Sequence, residues 1–546
     1  MPNHMKRLAN VIFLTILLIA SCSKFSPDLY REASENSLLV NEGFNRCIRY
    51  VNAWSLQADS ITGLIPRNLR ESRDYWNAWD AAADNYPFMV LTSSILMPGY
   101  FSGTALKMLD TERKLTSRIG KLPDTWSFSK NGFRNEKTDT SRIIFGAAEY
   151  MKDGLIPLTE WLGESPWSER MLEILNDLPA VTKVVKELDG KSFGPNAVME
   201  VNGDLLQVLS RMYWFTGNKE YLEWGAEIAG YYLNEQNLPV TASNHLRIRD
   251  HGCEIISGLC EIYLAACYRW PEKRAEWKPF IRQMLDRVLE AGRNDDGLFY
   301  NEINPVSGEV ISSGIADNFG YTLNAYYFIG LIDSIPEYRD AVVRALSVLN
   351  EKYRNFNWEN GGCDGYADAI EGALNLFNRE PVGEARKWMD SEIKVMWNYQ
   401  KSDGIIEGWH GDGNFARTTI MYCLWKTLGV LPDRWDEKLY IGASGKDGKL
   451  RLALSCDNGW EGNLKFEKPR YSENMHMPFD YPRINQFQQW FTPDRKAEYR
   501  VRFFPSRKKV WLTGEELIKG IHVRIEPGEK MYIEVKGKNT ENLYLF

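Results

Sequence analysis

From residue 34 to about residue 430 the apolar positions recur three and four apart, the period of a helix that buries one stripe. The runs are 38–56, 81–96, 141–151, 168–187, 205–216, 221–234, 254–268, 275–291, 321–332, 338–352, 367–378, 385–399 and 416–428, separated by Gly, Pro and Asn breaks. Related tails follow several helix ends: Gly63-Leu64-Ile65, Asp153-Gly154-Leu155-Ile156, Asp296-Gly297-Leu298-Phe299 and Asp403-Gly404-Ile405-Ile406. A glycine there suits a left-handed helix stop, and the apolar pair can fold back onto the helix end. About a dozen helices in stacked hairpins is the count of an (α/α)6 toroid.

Beyond residue 432 the period becomes two. Segments 438–442, 449–456, 463–465, 498–504, 509–512, 521–525 and 531–535 read as strands between Gly, Asp and Pro turns, which predicts a β-sandwich. The run 479–487 lies in a long non-strand stretch of this part. It reads as a packed surface loop, with entry into the cleft as the alternative. The expected fold is mainly α: an (α/α)6 toroid catalytic domain over 34–430 and a C-terminal β-sandwich domain over 435–537.

Residues 1–22 read as a lipoprotein signal peptide. Lys6 and Arg7 precede a short apolar stretch, and Ile19-Ala20-Ser21-Cys22 resembles a bacterial lipobox. The stretch is too short to span a bilayer. It predicts export, lipidation of Cys22, and anchoring at the cell surface or a periplasmic membrane face.

Composition narrows the partners. A net charge of -7 over 546 residues argues against nucleic acid and against a polybasic membrane contact, so any anion must be held by local charge. The 19 Trp and 27 Tyr suit sugar faces as well as cores. No CxxC, HExxH or EF-hand pattern occurs, so no metal or cofactor is expected, with calcium on loop carboxylates left open. A chance zinc quartet of His245, His251, Cys253 and Glu254 is the other metal alternative.

Chemistry concentrates in two stretches that hold three of the six histidines. In the first, Asn244 to His251, an extended backbone would put His245, Arg247, Arg249 and His251 on one face as a basic strip. In the second, Trp409, His410, Asp412 and Asn414 alternate with Gly408, Gly411 and Gly413, which would let backbone approach a ligand. Ion pairing of the arginines and helix N-capping by Asp317 and Asp412 are the plainer accounts. Loops before inner helices of a toroid converge at one end, so the polar groups of both stretches should meet there.

Two glycan-cleaving chemistries fit. Hydrolysis needs a proton donor and a second carboxylate, for which Asp80, Asp204, Glu254, Asp317, Asp364, Asp368 and Asp412 are on offer. Elimination at a uronate needs a neutraliser for its carboxylate, a base and an acid. Asn244, Arg247 and Arg249 suit neutralisation, His245, His251 or His410 the base, and Tyr321, Tyr366 or Tyr86 the acid. His245, His410, Tyr321 and Arg249 are therefore the expected catalytic residues. Asn244, Arg247, His251, Trp409, Asp412, Asn414, Tyr366, Tyr86 and Asn202 are the expected substrate contacts.

The lipobox, the helical toroid, the aromatic loops and the terminal sandwich together resemble the toroid-fold glycan-degrading lipoproteins of Bacteroidetes. Asn244-His245 and the arginines after it are similar to the L-rhamnose-α-1,4-D-glucuronate lyases of that group. The resemblance implies a polysaccharide lyase that cleaves at a uronic acid by β-elimination, with an acidic oligo- or polysaccharide as partner. A glycoside hydrolase with a carboxylate pair, or a non-catalytic glycan-binding lipoprotein, is the alternative.

Overall fold

The computed structural model describes residues 26–188, 193 and 196–538; the lipobox and Cys22 lie outside the described residues. Helices alternate between an outer and an inner layer. The inner wall is formed by Ala78–Asn85 running into Tyr86–Leu96, Thr140–Glu149 running through Tyr150–Leu155 into Ile156–Leu162, then Ala197–Thr216, Glu254–Arg269, Phe319–Asp333, Cys363–Phe377 and Asn414–Thr427. Each segment packs against the next, and the last returns to Tyr86–Leu96, closing a ring. Asn414–Thr427 is buried along its whole length, as a helix enclosed on all sides must be. The outer helices, such as Gly383–Trp397, bury a single stripe.

The expected class, a helical toroid followed by a β-sandwich, is what the chain forms. The outer helix Leu106–Leu115 has no counterpart among the helical runs read from the sequence. Lys107, Asp110, Glu112, Arg113 and Lys114 leave that helix too few apolar positions to show a stripe. Close contact between inner helices depends on particular glycines. A Cβ on Gly203 would lie 2.3 Å from the Glu254 carbonyl carbon, and one on Gly258 2.4 Å from the Gly203 carbonyl oxygen. Only hydrogen at these positions lets the two backbones touch, which brings Asp204 up beside Glu254.

All seven expected strands form. A five-stranded antiparallel sheet runs in the order Leu439–Lys446, Lys449–Cys456, Lys530–Gly537, Glu498–Phe504, Lys509–Thr513. A second sheet sets Trp460–Lys465 between Ile521–Ile525 and Leu431–Pro432. The helix Arg31–Ser55 packs on Leu439–Lys446 and joins the two parts of the molecule.

The stretch around residue 484 corrects the expectation of a surface loop. Tyr481, Arg483, Ile484, Asn485, Gln486 and Phe487 are buried, and the run enters the ring. Arg483 pairs with Glu160, Arg211 donates to the Ile484 carbonyl at 2.9 Å, and the Tyr481 hydroxyl meets Glu261 at 3.0 Å. A buried loop must satisfy its backbone. Here the polar side chains of the inner helices supply the partners, which no local pattern in the loop could reveal.

Candidate active site

The ring encloses a cavity of about 740 Å³ with Ile484 in its wall. Arg247, His251, Tyr321, Trp409, His410, Asp412 and Asn414 all line it, so the two histidine-bearing stretches do meet in one hollow. The strip itself splits. Only Leu246–Arg247 is strand, paired with Tyr300–Ile303, and the backbone turns at Asp250, whose φ is 52°. His245 Nε2 lies 3.0 Å and Arg249 Nη2 3.4 Å from the carboxylate of Glu302, away from the cavity lining, and Asn244 is exposed. Tyr86 donates to the Ala105 carbonyl and accepts from Trp167, Asn202 ties Val185 to Tyr232, and Tyr366 packs beside Tyr399; none of the three lines the cavity. His245 is likewise separated from the cavity, so the zinc quartet is not gathered.

The lining is dominated by carboxylates. Among the described residues eleven Asp and Glu face five Lys and Arg across it. Each of the five cations is already matched: Arg67 with Asp80, Arg142 with Asp139, Lys152 with Asp153 and Glu254, Arg247 with Glu200 and Asp250, Arg417 with Asp368 and Glu371.

Two inner segments each present a carboxylate pair to a histidine from another segment. Asp80 and Asp84 lie four apart on the π-helical Ala78–Asn85, and both meet His410. Glu149 and Asp153 flank the start of the π-helical Tyr150–Leu155 and meet His251. Two glycines of the His410 loop serve this packing. A Cβ on Gly413 would lie 2.2 Å from the Asp84 carbonyl oxygen, and one on Gly411 2.1 Å from the Asn85 side-chain amide nitrogen. They let the loop rest on the helix, while Gly408 has open space around it and lines the cavity.

Electrostatics set the protonation states. Burial would lower His410, but Asp80 and Asp84 raise it to about 9. Burial, opposed by His410 and helped by Asp153 and Asp80, raises Asp84 to about 7. Burial opposes the charge on His251 too, yet Glu149 and Asp250 hold its pKa well above the ordinary value. The His410 imidazole is thus a cation near neutrality, which ill suits the expected base.

One carboxyl was not anticipated. Glu359 sits in the short turn Trp358–Asn360 with a left-handed φ of 45°, followed by Asn360 at 58°. A non-glycine residue in that region stores strain, and such strain gathers at functional sites. Trp358 anchors the turn in the core while the Glu359 carboxyl reaches the cavity. The turn is exposed, but partial desolvation of the carboxyl in the cleft, then the like charges of Asp368, Asp250 and Asp412, raise it to about 7. Asp368, the first of those neighbours, accepts from Arg417 Nη2 at 2.6 Å and lies 2.9 Å from the Tyr321 hydroxyl. Asn485, from the inserted loop, accepts from Arg417 at 3.0 Å and donates to Asp153 at 2.7 Å, linking the two sides of the cavity.

At the rim Trp409 is 78% exposed, with the Arg67 guanidinium 5.4 Å from its ring centre. Trp79, Phe145 and Phe193 form a second aromatic group, the last two stacked at 4.4 Å.

No protein-family profile and no curated protein matches the chain. Among solved structures it is similar to the GH76A α-1,6-mannanase of Salegentibacter sp. HEL1_6, at 14% identity over 53% of this chain and 89% of that one, with a TM-score of 0.38. It is also similar to the cellobiose 2-epimerase of Bacillus thermoamylovorans B4167, at 12% identity over 71% and 98% of the two chains, TM-score 0.39. A GH127 β-L-arabinofuranosidase of Geobacillus stearothermophilus T6 matches at 10% identity over 89% and 75%, TM-score 0.32. The functional reading rests on the cavity's own residues.

Proposed function

We propose that the chain is a carbohydrate-active enzyme that hydrolyses a glycosidic bond with paired carboxyl groups. Glu359 donates the proton to the leaving oxygen, and the Asp368 carboxylate, held by Arg417 and Tyr321, serves the incoming water or the sugar carbon. The observation that carries the reading is the contrast between these neighbours. One carboxyl is raised to about 7 and the other is held in an ion pair with Arg417, an arrangement that suits a proton donor beside a carboxylate partner. The exposed Trp409 indole beside a polar cavity supports a sugar as ligand.

Elimination at a uronate is the competing chemistry. Its neutraliser would have to be taken from a carboxylate that already holds it, Arg247 from Glu200 and Asp250 or Arg67 from Asp80. With eleven carboxylates around the cavity, a neutral glycan is the better substrate. The test is incubation of the purified chain with neutral oligosaccharides and uronate-containing glycans. New reducing ends from the neutral set, with no ultraviolet-absorbing unsaturated sugar, support hydrolysis. Unsaturated product would assign elimination instead, and no product with either set would leave glycan binding alone. We also propose export and lipid anchoring at Cys22, supported by the Lys6-Arg7 and Ile19-to-Cys22 pattern. A Cys22→Ser chain should leave the membrane fraction.

A further inference from the structure

We propose that Glu149, Asp153 and His251, with Asp204 beside them, bind a single divalent cation in the cavity wall. One ligand atom from each of Glu149, Asp153 and His251 lies within 4.8 Å of the other two. The second observation is independent of that clustering. Glu149 Oε1, Asp153 Oδ2 and both carboxylate oxygens of Asp204 are sealed from solvent and have no hydrogen-bond partner, in residues that are 2%, 7% and 0% exposed. Buried carboxylate oxygens are ordinarily hydrogen-bonded, paired or coordinated. Four without partners at one place call for a cation.

Pairing gives the valence. Lys152 is the ammonium among these acids and is spent on Asp153 and Glu254. Among the described residues Glu149 and Asp204 have no lysine or arginine partner, and one divalent ion, with a neutral His251 imidazole as ligand, would supply the two positive charges they lack. The close helix contact at Gly203 and Gly258 holds Asp204 in this group and prevents its retreat to water.

The imidazole is arranged as a ligand. His251 Nδ1 is 3.5 Å from Glu149 Oε2, and its Nε2 is 3.4 Å from Asp250 Oδ1, so a second carboxylate stands behind the ring. An outer carboxylate that orients a ligating histidine is a usual feature of metal sites. A set of carboxylates and one imidazole suits Mn2+ or Zn2+ better than Ca2+, which prefers an all-oxygen shell. This site is separate from the Glu359 and Asp368 reading and stands or falls without it.

The test titrates the metal-free chain with Mn2+, Zn2+ and Ca2+ in turn by calorimetry, with bound metal counted by elemental analysis and unfolding followed by temperature. One equivalent of Mn2+ or Zn2+ and a raised unfolding temperature are expected. Glu149→Gln and His251→Gln should each weaken binding by more than the roughly 10- to 100-fold that loss of an outer-shell partner costs. His245→Ala, on the far side of the strip, should bind as the wild type does. The proposal is overturned if none of the three metals saturates a site, if Ca2+ binds tightest, or if Glu149→Gln and His251→Gln, shown folded by circular dichroism, bind as tightly as the wild type.

Discussion

The two carboxylate and histidine groups of the inner wall start from the same local device and end in different states. Each places acids four apart on or across the start of a π-helical stretch and brings a histidine from another segment. At Asp80 and Asp84 the surroundings finish the job with protein groups. Arg67 and Asn77 hold Asp80, and His410 turns Nδ1 to the Gly411 carbonyl at 3.0 Å, leaving its other nitrogen 3.8 Å from Asp80 and 3.7 Å from Asp84. At Glu149 and Asp153 the helix contact through Gly203 adds Asp204 and Glu254, and one lysine cannot balance four acids. The lesson is that excess charge comes from the third element packed against a pair, here Ala197–Thr216, and not from the pair.

The largest break in this comparison is Lys152→Met. It leaves the sealed group with no ammonium, and removing one partner of a buried ion pair costs about 3–5 kcal/mol. Urea unfolding of the metal-free chain should show a loss of that order. Arg67→Met at the open group should cost less, because Asp80 keeps its Asn77 partner.

The second effect is a pH dependence specific to the open group. Asp84 and His410 both have folded pKa values above their ordinary ones, so the folded chain binds more protons than the unfolded chain. The stability due to Asp84 is complete below about pH 4 and is lost as pH rises through about 7. That due to His410 is complete below about pH 6.5 and is lost as pH rises through about 9. His410→Gln should flatten the decline in stability between about pH 6.5 and 9, read from midpoints of denaturant unfolding across pH. The smallest effect belongs to the rim. Trp409→Ala removes an exposed stacking face and leaves the acids in place, so KM should rise several-fold with kcat nearly unchanged.

Much of the architecture was legible because period and punctuation are local. Inner helices and all seven strands of the sandwich follow from spacing and breakers. Of the cavity lining, the His410 loop, Arg247, His251 and Tyr321 were picked out by clustering polar residues before inner helices. Asp84, Glu149 and Lys152 were passed over, since within helical runs they read as solvated charges and a π-helical turn leaves no composition signature. Glu359 was missed for another reason. Asn360-Gly361-Gly362 marks a turn, but only coordinates show its backbone aiming the preceding acid into the hollow. His245 and Arg249 were drawn in wrongly because strand alternation was extended past the two residues that are strand.

The measurement that bears most directly on the central claim is the pH dependence of kcat/KM for a hydrolysed neutral oligosaccharide, in the wild type and in Glu359→Gln. A proton donor must be protonated to act, so the wild-type rate should fall as pH rises through about 7. Glu359→Gln, at an exposed turn, should keep the fold, lower kcat by about 10²- to 10⁴-fold and lose that limb of the profile. A variant that keeps both the wild-type rate and the decline near pH 7 would show that Glu359 is not the acid and would contradict the carboxyl-pair account.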